Sequence, residues 1–174
     1  MTLHRAIALL LVVSCAGVPI RPVTRDRTPP SVLGNIEASS DLDGAPVGAS
    51  DARATVVVVL ASWCEHCKVE LAVLDALRAT HPRMRILGVS YQAHEEYAGR
   101  GSASALRAYV ASSAPWMRVI LADEPLFTVL GRPPKVPTIY VFDHAGGLAA
   151  KYDRRQRKLP DAAELGALLV RLGA

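Results

Sequence analysis

Cys64 and Cys67 are separated only by Glu65 and His66, and Trp63 stands directly before them. An apolar run over residues 55–60 precedes this segment and a helical pattern follows it, so both thiols fall on the first turn of a helix. Side chains three apart there are neighbours, able to close a short disulfide and reopen it without moving the fold. The N-terminal thiol, Cys64, also meets the unpaired N–H groups and the positive end of the helix dipole, which stabilise a thiolate and make it a nucleophile. The intervening residues act in opposite senses. His66 favours the thiolate as a donor or cation, and the Glu65 carboxylate repels it.

The same thiols have a second chemistry, since two cysteines and a histidine suit a soft ion such as copper. Against it, the pair is too close to form a closed tetrahedral site alone, there is no second Cys-x-x-Cys, and the three Met residues do not cluster. His66 lies inside the motif, His81 ends the helix, and His94 and His144 fall in loops, so each reads as solvated rather than ligating. Lys68, not His, follows Cys67, which argues against haem attachment. The pair is read as catalytic or redox-sensing with no metal or other cofactor, and a module binding copper or another soft metal is kept as an alternative.

Cys15, the third cysteine, has its own context. His4 and Arg5 form a charged start, and residues 6–13 form an apolar stretch too short to span a bilayer, as in an export signal. Val12-Val13-Ser14-Cys15 resembles a bacterial lipobox, which implies cleavage before Cys15 and acylation of its sulfur. An ordinary cleaved signal ending in a small residue and a cysteine is the alternative. Residues 1–14 are therefore expected to be a signal peptide and residues 15–30, with Pro19, Pro22, Pro29 and Pro30, a lipidated tether. Export places Cys64 and Cys67 where disulfides persist, and no further cysteine can form a structural bridge.

Residues 31–174 suffice for one domain with a proper core. The formal charge of +4 is spread along the chain except at residues 151–158, where Lys151, Arg154, Arg155, Arg157 and Lys158 cluster. That run reads as a solvated loop before the last helix, and without interleaved aromatics it argues against nucleic-acid binding. Residues 35–49 predict a hairpin turning at Asp43-Gly44. The β-branched run at 55–60 predicts a central strand buried on both faces. A helix over 64–80 follows, with Cys67, Leu71, Leu74 and Leu77 facing the core. Beyond it the pattern predicts strands at 85–89, 119–122, 138–142 and 148–152, helices at 104–111 and 125–130, and a last helix opened by an Asp161/Glu164 capping box.

Residues 60–70, Leu-Ala-Ser-Trp-Cys-Glu-His-Cys-Lys-Val-Glu, together with Lys135-Val136-Pro137-Thr138 ahead of a strand, resemble the active-site stretch and cis-proline loop of thioredoxin-fold proteins, specifically the exported TlpA-type thiol-disulfide oxidoreductases. The resemblance covers about residues 31–174. It implies an α/β thioredoxin fold: a central mixed β-sheet flanked by helices, with an N-terminal β-hairpin and an inserted strand and helix between residues 86 and 134. It also implies a cis bond before Pro137, substrate pairing at Val136, and an apolar rim around Cys64 made by Trp63. Two departures stand out. Val58 occupies the position where cytosolic thioredoxins carry a buried Asp, so Glu70, one turn beyond Cys67, is the substitute proton acceptor, or else a surface residue. Ala72 replaces a frequent helix-kinking proline, and a straighter helix is expected.

The implied activity is thiol-disulfide exchange on client protein thiols or disulfides in the periplasm. The short, tethered layout favours a protein-disulfide reductase fed by a membrane electron donor and held on the bilayer through Cys15. An oxidant or isomerase using the same pair is the alternative.

Overall fold

A computed structural model describes residues 31–174; the expected signal, Cys15 and tether lie outside the described residues. Among the described residues five strands form one mixed sheet: β1 (Ala54–Val59), β2 (Met84–Tyr91), β3 (Arg118–Ala122), β4 (Thr138–Asp143) and β5 (Leu148–Tyr152), ordered β3-β2-β1-β4-β5. Strand β1 is parallel to β2, and β2 to β3, while β4 runs antiparallel to both β1 and β5. The helices are α1 (Val32–Glu37), α2 (Glu65–Thr80), α3 (Gln92–Glu95), α4 (Ala103–Ser113), α5 (Glu124–Val129) and α6 (Ala162–Leu172).

The β-branched run makes β1 the centre of the sheet because it can be covered on both faces. Val56 and Val58 pack with Leu71, Leu74, Leu106, Leu165 and Leu169 on one side. Val57 and Val59 pack with Leu33, Ile36, Leu126 and Leu130 on the other. All six β1 residues are buried, and each fully buried Val contributes about 2 kcal/mol through apolar burial. Helix α2 runs unbroken through Ala72. Strand β3 and helices α4 and α5, all between β2 and β4, supply the inserted strand and helix.

The N-terminal hairpin is corrected. Residues 32–37 form α1, capped by the Ser31 hydroxyl, and only a short antiparallel pairing follows, the Ser40–Pro46 bridge with Asp41 N donating to the Ala45 carbonyl, Val47 N to that of Ser39 and Gly48 N to that of Glu37. The turn expected at Asp43-Gly44 survives, with Gly44 at a φ of 80° and the Asp41 carboxylate accepting from Asp43 N and Ala45 N. Arg118 on β3 ion-pairs with Asp41 and donates to the carbonyls of Ala45 and Pro46, which pins the turn to the sheet. Arg85 takes the carbonyls of Val47 and Gly48. The segment is therefore a helix followed by a much shortened hairpin, laid as a strap across β2 and β3.

Two further readings change. His81 is buried, its Nδ1 lying 3.0 Å from the Leu77 carbonyl at the end of α2, so it is a capping side chain rather than a solvated one. The basic run is partly engaged: Arg157 stacks over Tyr152 and pairs with Glu164, and Arg154 donates to the Val136 carbonyl. At α6 the Asp161 carboxylate caps Glu164 N as expected, while the Glu164 carboxylate turns to Arg157.

Candidate active site

Cys64 is the N-cap of α2, and its sulfur accepts from Cys67 N at 3.3 Å. The two sulfurs are bonded, with Cα atoms 5.3 Å apart. A sulfur held against an N–H of the first helical turn is where a thiolate is best stabilised once the bond opens. Cys64 is 6% exposed and Cys67 fully buried, so Cys64 is the sulfur that an incoming group can reach, although less openly than the sequence suggests.

The sheet register brings the second half of the site to this point. Val59 pairs with Thr138, so the exit of β1 and the entry of β4 lie side by side. Five residues after Val59 comes Cys64, and one residue before Thr138 comes Pro137. The Val136–Pro137 peptide bond is cis. Trp63 and Val136 line an open groove of about 430 Å³, with His94 and Tyr97 from the α3 side and Arg154 from the loop after β5. Trp63 is half-buried, and its indole N–H donates to the carbonyls of His94 and Glu95, which keeps the ring at the rim.

Glu65 and His66 point outward, and Glu65 forms an exposed ion pair with Lys68 at 2.9 Å. That pairing offsets the carboxylate's repulsion of a thiolate, although an exposed pair adds little stability. Glu70 is buried at 4% exposure, with Oε1 unpartnered among the described residues. Burial pushes its carboxyl up to about 7. The surface reading of Glu70 is thereby removed. An acid one turn from a buried cysteine, poised between charged and neutral near pH 7, is suited to proton transfer.

Sequence reasoning missed Glu95, placed in a polar loop. It is fully buried in α3 and accepts from the Ser62 N–H at 2.9 Å, from the Ser62 hydroxyl, and from the Ser90 hydroxyl at 3.1 Å. The segment after β2 thus braces the loop that leads into Cys64. Its one sequence signal was Ser62, whose polar groups two residues before the cysteine needed partners. His94 is also not simply solvated. It lies on α3, edge-on to Tyr91 and Phe127, and burial lowers its imidazole pKa.

Among the described residues no three His, Cys, Asp or Glu side chains converge in a way that could hold a metal ion. No described helix is long and apolar enough to cross a membrane.

No protein-family model matches the sequence, and comparison with curated proteins finds no match either. Solved structures do match. A secreted Mycobacterium tuberculosis disulfide oxidoreductase homologous to E. coli DsbE is similar at 18% identity and a TM-score of 0.60, covering 76% of this chain and 93% of that one. A thioredoxin-like protein from Aeropyrum pernix aligns at 15% identity and a TM-score of 0.64, over 79% of this chain and 91% of its own. A thiol:disulfide interchange protein of the thioredoxin family from Chlorobium tepidum TLS aligns at 16% and 0.62, over 78% and 92%. Identities this low speak for architecture, and the architecture these proteins share with this chain is the thioredoxin fold.

Proposed function

We propose that this protein is a thiol-disulfide oxidoreductase that reduces disulfides of client proteins outside the cytoplasm. The observation that carries the reading is the Cys64–Cys67 pair, with one sulfur reachable at a helix N-terminus and the other buried, beside a cis-proline loop. The solved proteins of like fold include a secreted disulfide oxidoreductase and a thiol:disulfide interchange protein, which supports the reaction class.

In the forward direction the Cys64 thiolate attacks a client sulfur, the Cys64–client disulfide forms, and the client's other sulfur leaves as a thiolate and takes a proton. Cys67 then loses its proton to Glu70 and attacks Cys64, which releases the second client thiolate. The client gains two electrons and the pair becomes the disulfide. A membrane dithiol donor returns the two electrons through the reverse exchange. Pro137 holds Val136 beside the sulfurs, where its main chain can pair with an extended client segment. Trp63 shields the Cys64 sulfur from water. Acylation at Cys15, with residues 1–14 as signal and 15–30 as tether, keeps the domain on the periplasmic face of a membrane near its donor.

The test is the reduction potential of the pair, measured by equilibrating the detergent-solubilised protein with glutathione buffers. A value near or below about −220 mV supports a reductase, and one near about −120 mV identifies a thiol oxidant instead. Cys64→Ser must abolish turnover, and Cys67→Ser must trap the mixed disulfide. A Cys64→Ser protein that still turned over disulfides would remove the reading altogether.

A further inference from the structure

The groove between Trp63 and Val136 carries more positive charge than exchange requires. Lys135 and Arg154 line it. The Arg100 guanidinium lies 5.4 Å from the Trp63 ring centroid and 5.8 Å from that of Tyr97, both of which also line the groove. None of these three cations forms an ion pair among the described residues. Of the neighbouring carboxylates, Glu65, Glu124 and Asp153 are ion-paired with Lys68, Arg132 and Lys151, while Glu95 is buried and held by the neutral Ser62 and Ser90 groups. Among the described residues Glu96 is met only by the neutral Gln92 amide, which offsets none of its charge, so the positive excess is that of three cations against two carboxylates, Glu95 and Glu96. Burial lowers the pKa of His94, so it adds no charge near pH 7. The result is an apolar, aromatic-walled slot rimmed by three unpaired cations. Such a slot concentrates anions and discriminates against cationic chains, an effect that salt screens.

Arg154 adds a geometric detail. Residue 154 has a positive φ of 61° and donates from Nη1 to the Val136 carbonyl at 3.2 Å. That carbonyl is one of the main-chain groups an extended client would use. A client carboxylate that draws the guanidinium towards itself both gains a charged partner and frees the carbonyl for the client backbone.

From this charge arrangement, and resting on the proposed exchange activity, we infer that the groove selects extended client segments carrying Asp or Glu next to the reactive cysteine. The preference is for acidic peptide clients, not basic ones.

The test uses the full chain in mild detergent, prereduced, in single turnover with three peptides. Each peptide is closed by one internal disulfide, and they differ only in a Glu, Gln or Lys before the first cysteine. The protein dithiol supplies the two electrons and two protons that convert each peptide disulfide to two thiols. At about 0.01 M ionic strength, where the screening length is about 30 Å, the Glu peptide is expected to react roughly tenfold faster than the Lys peptide, with Gln between. High salt collapses the ratio, and Lys135→Gln combined with Arg154→Gln lowers it at low salt. Equal rates for the Glu and Lys peptides, a faster Lys peptide, or a ratio untouched by salt would overturn the inference. Reduction of the uncharged bis(2-hydroxyethyl) disulfide by the wild-type protein separates the two levels. If that disulfide is reduced while the peptides react alike, selectivity falls and the exchange activity stands. If no disulfide is reduced, both fall.

Discussion

Glu70 carries the most specific chemistry of any single side chain outside the cysteines. Its carboxyl is raised from the usual range to about 7 because burial disfavours the charged form. In the unfolded chain the same group titrates near 4.5. Below that pH both states are protonated and folding is unpenalised. Between 4.5 and 7 the unfolded chain releases the proton first, so stability falls as pH rises, and above 7 the penalty is constant. Glu70→Gln should therefore flatten the decline, gaining up to about 3 kcal/mol over wild type at alkaline pH, read as denaturation midpoints across pH 4 to 9. The same substitution removes the proposed acceptor, and resolution of the mixed disulfide should slow roughly a hundredfold. A Glu70→Gln protein with unchanged resolution kinetics would assign the proton to solvent. Val58 could not have served, because it is enclosed by leucines and carries no ionisable group.

At the scale of elements, the site depends on α3, a helix of four residues. Glu95 brings three acceptor contacts to Ser62 and Ser90, and the backbone carbonyls of His94 and Glu95 receive the Trp63 indole N–H. Packing is close enough that a Cβ on Gly101 would come within 2.7 Å of the Glu95 carbonyl oxygen. Glu95→Ala leaves the Ser62 N–H and two hydroxyls without their acceptor, a loss of about 2 kcal/mol or more. It should also broaden or shift the Trp63 indole resonance in NMR, which a purely remote destabilisation would not do. The strap over 41–48 is held in the same way. Arg118→Met removes its ion pair with Asp41 and its donation to the Ala45 and Pro46 carbonyls, and should cost about 1–3 kcal/mol, with faster amide exchange confined to that strap. The Arg118 guanidinium also holds the Asp41 carboxyl below its ordinary range. This contribution is complete above the unfolded carboxylate pKa and is lost as pH falls through the lowered folded value.

For the whole molecule, the proposed arrangement is a redox domain on a lipid tether. Cys15→Ser should release the protein from the membrane fraction into the soluble periplasmic fraction without changing the reduction potential, since residues 31–174 hold the whole pair and its surroundings. A Cys15→Ser protein that stayed membrane-bound would mean that the anchor lies elsewhere. The sequence alone determined the Cys64 and Cys67 spacing at a helix start, the buried central strand and the core stripe of α2, because each depends on local spacing and hydrophobic periodicity, whereas the proline loop was legible only through the family resemblance. The sequence could not show that the segment at 35–49 opens as a helix and lies as a strap on the sheet, because its anchors, Arg85 and Arg118, stand more than thirty residues away. Glu95 was illegible for the same reason: a carboxylate in a polar stretch reads as solvated until the chain folds it against Ser62. The charge of the groove, too, exists only in three dimensions, where β1, β4 and the loop after β5 bring Trp63, Lys135 and Arg154 to one rim. Local propensity is written in neighbouring residues, while the partners of buried polar groups and the field around a site are set by residues that only the tertiary fold makes adjacent.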